Sequence, residues 1–355
     1  MRKLVIDRAA IKNNLTVIKD RAAGAAIYGV LTGDGQGVGA AALAQLLRDE
    51  GIGRFAVSEV SEAEALRQAG FVDEEILMLR ATTDREELER LVDLNVVCTV
   101  SSVDTGMALN ALAGNRSTVA EAHIQVDTGM GFGGFLVSEP EKLLLAYRSM
   151  PNVALSGVYT QLHAARPNDP QAKRQLEQFQ QALDAIHQAG FETGVVHAAG
   201  SFALLHGLAP ELDGVRAGSA ILGRCRRTRD DGLKTVGFGQ APLTEVRWLP
   251  KGHVLGVDRP VTLKKPTRVA VLPVGYQNGF GITRPRETGL LAAIARWRKN
   301  NRRTVRLGSQ RSRVLGGLGA SELILDVTDV KCSVGDLATF EIDPLFARGF
   351  QVEFR

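Results

Sequence analysis

Cysteine is scarce and scattered. Cys98, Cys225 and Cys332 are the chain's 3 cysteines, without any CxxC spacing. An odd count so placed argues against a disulfide framework and against a cysteine-based zinc site, and no metal is expected. Aromatic residues make up only 5% of the chain. The basic cluster RWRKNNRRTVRLGSQRSR, Arg296 to Arg313, therefore lacks the stacking groups and the motif of a nucleic-acid surface, and reads as a solvated insertion. No apolar run reaches membrane-spanning length, and the opening MRKLVIDRAAIKN has no apolar secretory core. The expected address is cytoplasmic, with neither a membrane nor a nucleic acid as partner. Bulk charge of one sign is also missing: the formal net charge is only +4.

What is present is alternation. Short apolar runs recur at 27–31, 55–58, 75–79, 96–100, 123–127, 155–162, 194–199 and 214–222. Near-continuous apolar runs suit parallel strands buried on both faces. Between them lie amphipathic segments such as AAALAQLLRDEG and DREELERLVDLN. SEAEALRQAG opens with Ser61 and carries Glu64 three residues on, which predicts a capping box. Eight such alternations predict an α/β fold, a (β/α)8 TIM-type barrel over 7–228. An open doubly wound sheet is the alternative. After Gly223 the texture changes to short β-rich runs broken by Gly and Pro, which predicts a mostly antiparallel β domain over 229–355. KLVID, before the barrel, can join either domain, and residues 1–6 are grouped with the second. A basic helical insertion is expected near 287–313, with Leu290, Leu291, Ile294 and Trp297 on its apolar face.

A barrel places its working residues at the C-terminal ends of its strands. That rule collects Thr32, Asp34 and Gln36, then Asp127 to Gly134, then Thr160, Gln161 and His163, then Gly200 and Ser201, then Arg216 and Gly218. Ser201 leads a helix after the seventh strand, beside RAGSAI after the eighth. This pairing suits a phosphate, although a serine there is also an ordinary helix cap. His163 is the nearest spare base, but a lone histidine is more often a hydrogen-bonded structural group.

VDTGMGFGG, VHAAGSFALL, DGVRAGSAILG, VLPVGYQNGFG and LILDVTDVKCSVGD closely resemble, in order and over nearly the whole chain, motifs of the alanine racemases. The resemblance implies a barrel plus a C-terminal β domain, pyridoxal phosphate (PLP) as cofactor, and a homodimer. It implies that Ser201, Gly218 and Ile221 bind the cofactor phosphate and that Arg216 faces the pyridine nitrogen. Tyr276 matches a proton-transfer base that reaches the partner subunit's site.

The departures cluster in one place. Thr32 stands where the family carries its Schiff-base lysine, and Gln36 where a tyrosine helps hold the phosphate. Gln125 replaces a lysine, Phe132 the arginine near the substrate carboxylate, and Gln161 a histidine. Ala320 and Ser321 replace a methionine and an aspartate on the substrate side, and Gly200 replaces a phosphate-side asparagine. No lysine occurs between Lys19 and Lys142 to step in. A threonine hydroxyl can neither form a Schiff base nor act as a base near neutral pH. The expected protein is a non-racemising or strongly impaired homologue that holds PLP noncovalently, or takes another phosphorylated or amino-acid ligand. Two alternatives remain open: an enzyme of altered chemistry using Tyr276, and a non-catalytic partner subunit of an active racemase.

Overall fold

The computed structural model describes residues 1–163, 169–208, 211–225, 231–256, 260–283 and 303–355. The chain divides into two compact units, Ala9–Thr235 and Met1–Arg8 with Val236–Arg355.

The larger unit is the predicted barrel. Its strands are β1 (Ala26–Val30), β2 (Arg54–Val57), β3 (Glu75–Met78), β4 (Cys98–Val100), β5 (Ala120–Asp127), β6 (Val153–Tyr159), β7 (Val195–Gly200) and β8 (Gly214–Ala217). Their order is β3-β2-β1-β8-β7-β6-β5-β4, all parallel. A parallel bridge from Leu77 to Val97 closes the ring. It is held by Met78 N–H donating to Val97 O (2.9 Å) and Val97 N–H donating to Ile76 O (2.8 Å). The open-sheet alternative is thereby set aside. Inside, Tyr28, Ala56, Leu77 and Val97 form a buried layer.

Helix positions follow the apolar stripes. Ala40–Asp49 buries Leu43, Ala44 and Leu47, and Pro170–Gln188 buries Phe179, Ala182, Leu183 and Ile186. The predicted Ser61–Glu64 capping box is corrected. Helix Val60–Gln68 starts earlier, and the Glu62 carboxylate accepts the Glu59 N–H at 3.1 Å. Glu64 instead pairs with Arg90. The eighth strand is also shorter than its apolar run. It stops at Ala217, because the N–H groups of Gly218 and Ala220 turn to a serine hydroxyl rather than to a neighbouring strand.

The second unit holds a nine-stranded sheet among the described residues. Lys3–Ile6 joins it, antiparallel to Phe238–Pro242 and parallel to Gln351–Phe354. The remaining pairings are antiparallel. The last part of the basic segment is a β hairpin, Thr304–Leu307 with Gln310–Leu315. Its expected helical part lies outside the described residues. Among the described residues no helix is long and apolar enough to cross a membrane.

Candidate functional site

The loop after β1 winds left-handed. Gly33 (φ 68°), Asp34 (53°), Gly35 (64°) and Gln36 (58°) form one turn of that hand. Glycine enters this region freely, whereas side chains pay about 1–2 kcal/mol each. Glu62 holds the turn from outside. Its Oε1 accepts N–H from Gly33 (2.6 Å) and Asp34 (3.2 Å), while Oε2 accepts from Ser58 (3.0 Å) and Glu59 (3.1 Å). Asp34 Oδ1 then accepts the Ala40 N–H at 2.8 Å, opening the next helix. Within the turn, Gln36 Nε2 donates to Thr32 O and Thr32 Oγ1, both at 3.1 Å. Thr32 and Gln36 are thus brought together, and the hydroxyl is already an acceptor.

A second group assembles at the ends of β6, β7 and β8. Ser201 Oγ accepts N–H from Gly218 (2.9 Å) and Ala220 (3.2 Å). Two convergent donors around one oxygen are the chemistry a phosphate oxygen requires. Gly218 is glycine for want of space, since a Cβ there would stand 3.0 Å from Val30 Cβ. Ile221 is buried, and its N–H closes the turn onto Gly218 O at 2.9 Å.

Arg216 is buried, and no carboxylate pairs with it among the described residues. It donates instead to Thr160 O (2.6 Å), Gln161 Oε1 (2.9 Å) and His197 Nδ1 (2.5 Å). Burial lowers its pKa to about 10, so the guanidinium stays charged at neutral pH. Gly200 sits beside the same Gln161 amide: a Cβ at Gly200 would stand 3.4 Å from Gln161 Nε2.

Other expected residues stand elsewhere. Asp127 Oδ1 accepts N–H from Gly129, Met130 and Gly131, curling the loop that carries Phe132. Phe132 itself is 78% exposed. Gln125 is half-buried on β5. Tyr276 and Ala320 belong to the second unit, where Tyr276 N–H donates to Gly319 O and Gln277 N–H to Ala320 O. Tyr276 is 47% exposed. Ser321, next in the chain, is exposed. His163 is structural in its contacts: its backbone N–H donates to Gln175 Oε1 (3.0 Å), and Nδ1 lies 2.7 Å from the same oxygen.

His123, His197, Glu62 and Gln175 escaped the reading of the sequence. Gln175, buried on its helix, also donates to Thr128 Oγ1 and Gln161 O, tying the loops after β5 and β6 together. For the two histidines a signal existed: a polar ring inside the apolar runs HIQVD and GVVHAA.

Fold and site together define a class: a closed parallel barrel followed by a β domain, with a serine hydroxyl that gathers two backbone N–H groups and a buried arginine at the C-terminal ends of the strands. Family models described as alanine racemase N-terminal domain and alanine racemase C-terminal domain match residues 6–225 and 239–342. The chain belongs to the alanine racemase family. The alanine racemase of Desulfovibrio desulfuricans is 30% identical over 341 residues, 93% of this chain and 86% of that one. The solved alanine racemase of Clostridium difficile 630 superposes with a TM-score of 0.87 at 21% identity, covering 100% of this chain and 95% of that chain. The Bartonella henselae enzyme, solved with covalently bound pyridoxal phosphate, gives 0.84 at 20% identity, with 100% and 99% covered.

Proposed function

We propose that this chain is a racemase-family protein that keeps the anchoring half of a PLP pocket and has lost the covalent half. Ser201, Gly218 and Ala220 would hold a phosphate, and Arg216 would face the ring nitrogen. PLP, when bound, supplies an electron sink that weakens the bond from an amino acid's α-carbon to hydrogen. The observation that carries the reading is the state of Thr32. On the motif resemblance that hydroxyl takes the place of the family's lysine, and it is engaged by Gln36 at 3.1 Å. It offers neither an amine for attachment nor a base of suitable pKa. Replacing general acid–base catalysis alone would cost about 10²–10⁴ in rate. Efficient alanine racemisation by this chain is therefore not expected, and PLP or a related phosphorylated ligand is held noncovalently. Gln36, Phe132, Gln161 and Ala320 point the same way, each replacing a group the family uses at this site.

A homodimer in the cytoplasm is part of the proposal. Tyr276 supports it: the backbone is clamped at two points while the ring is half exposed, which suits a residue presented to a partner subunit's site. The test is PLP titration by calorimetry and absorbance on wild type and Thr32→Lys. Wild type is expected to bind without the absorbance of lysine-bound PLP, and Thr32→Lys to gain it. Binding by neither protein would remove the cofactor reading and leave the partner-subunit role.

A further inference from the structure

One buried titratable group goes unused by that function. His123 on β5 is 1% exposed, and its Nδ1 lies 2.9 Å from His197 Nε2 on β7. His197 is fully buried, stacked between the rings of Tyr28 (5.1 Å) and Tyr159 (5.0 Å), and its Nδ1 lies 2.5 Å from Arg216 Nη1.

The protons in this chain can be assigned by elimination. A guanidinium only donates, so His197 Nδ1 must accept. A neutral His197 then carries its proton on Nε2 and donates to His123 Nδ1. His123 in turn is a neutral acceptor at Nδ1, protonated on Nε2. Burial is the first cause holding both rings neutral, followed by the charges of Arg216 and Arg54; His123 is pushed down to about 4 and His197 well below its ordinary value. Tyr28 and Tyr159, the other titratable groups against the pair, are pushed up by burial and stay neutral as well.

The neighbouring strand is shaped to this ring. A Cβ on Gly157 of β6 would stand 2.6–2.7 Å from three atoms of the His123 imidazole. Real Cβ atoms do not approach so closely, so the absent side chain at Gly157 is the seat of His123.

We propose that His123 is a positioning residue for Arg216: by accepting the His197 Nε2–H, it fixes the one His197 tautomer whose Nδ1 lone pair receives the guanidinium. The Arg216 contact alone already favours that tautomer, but without His123 its Nε2–H is buried with no acceptor, so the alternative tautomer, which turns an N–H toward Arg216, becomes populated and the arginine loses its Nη1 partner there. The ligand part of the test rests on the pocket reading above; the tautomer part does not.

The experiment is ¹⁵N–¹H NMR of the histidine rings in the full-length protein, with PLP affinity measured by calorimetry on the same samples. Assignment comes from single His→Gln variants. Wild-type His197 is expected to be neutral and protonated on Nε2 alone at pH 6 and at pH 8. His123→Phe, which keeps an aromatic in the cavity, is expected to lose that single tautomer and to bind PLP about five- to tenfold more weakly, the scale of one internal hydrogen bond. His123→Gln restores an acceptor and is expected to recover both. Gly157→Ala displaces the ring with His123 still present and is expected to resemble His123→Phe. The proposal is overturned if His123→Phe retains the Nε2 tautomer, or if His123→Gln is no better than His123→Phe. Failure of wild type to bind PLP would defeat the pocket reading, and the NMR comparison would still decide the relay.

Discussion

Glu62 offers the sharpest test of how the strand-one loop is held. Its two carboxylate oxygens accept four backbone N–H groups, two in the left-handed turn and two at the start of its own helix. On the other side of the balance, Asp34 and Gln36 sit at φ 53° and 58°. At about 1–2 kcal/mol each, they store about 2–4 kcal/mol of backbone strain. Hydrogen bonds to a charged acceptor contribute about 1.5–3 kcal/mol when shielded, and less here, because the Gly33, Asp34 and Glu59 contacts are exposed and the freed N–H groups can rehydrate. Glu62→Ala is therefore expected to cost about 2–4 kcal/mol. The informative variant is Glu62→Gln. Each carboxylate oxygen takes two donors, so either orientation of an amide sets its NH₂ against two N–H groups. Glu62→Gln should lose more than half of what Glu62→Ala loses, despite its matching shape. Urea unfolding gives the stability, and hydrogen exchange at Gly33 and Asp34 shows whether the loop opens locally. A Glu62→Gln protein within about 0.5 kcal/mol of wild type, with unchanged exchange at those amides, would refute the reasoning.

Three other expectations follow from the described contacts. His123 and His197 have depressed pKa values in the folded protein, so the unfolded chain binds more protons below pH 6.5. Stability should be fully present above that pH and fall on acidification towards about pH 4, by up to about 1.4 kcal/mol per pH unit for each histidine; urea titrations across that range should show a shallower slope in His123→Phe, and an identical slope would count against buried neutral rings. Gly134 has φ 117°, and a Cβ there would stand 2.7 Å from Asp127 N and 2.9 Å from Val126 C, backbone atoms that cannot give way. Gly134→Ala should destabilise by about 2 kcal/mol or more, read as a lowered melting temperature. Arg67 donates to the carbonyls of Phe71, Glu74, Leu94 and Asn95, joining two helix ends to the start of β3. Arg67→Met keeps the stem and strands those acceptors, with an expected loss of about 2–4 kcal/mol in urea unfolding.

The barrel was legible because burial on both faces leaves a repeated apolar signature, and eight such runs appear in order. The candidate positions Thr32, Ser201 and Arg216 were legible from a rule about strand ends, reinforced by motifs. What escaped were the residues that hold them from outside: Glu62, Gln175, His123 and His197. Ser61 and Glu64 have the spacing of a capping box, yet Glu62 caps the helix, because its carboxylate also answers the N–H groups of a turn 28 and 29 residues earlier in the chain. No local pattern could report that demand. His123 and His197 are 74 residues apart and meet only because the closed barrel faces β5 and β7 inward onto the same layer.

The sequence by itself determined the order of elements, the change from a barrel to a β domain, and the absence of any lysine between Lys19 and Lys142. These are properties of composition and order along the chain, and they survive in any conformation. Tertiary structure alone decided that the barrel closes, through the Leu77–Val97 bridge. It also decided that a buried arginine is satisfied by carbonyls, an amide and a neutral histidine rather than by a carboxylate. The reason is physical: each of these is set by which donors and acceptors arrive at the same point once water has been excluded, and that meeting is written in three-dimensional distance, not in spacing along the chain.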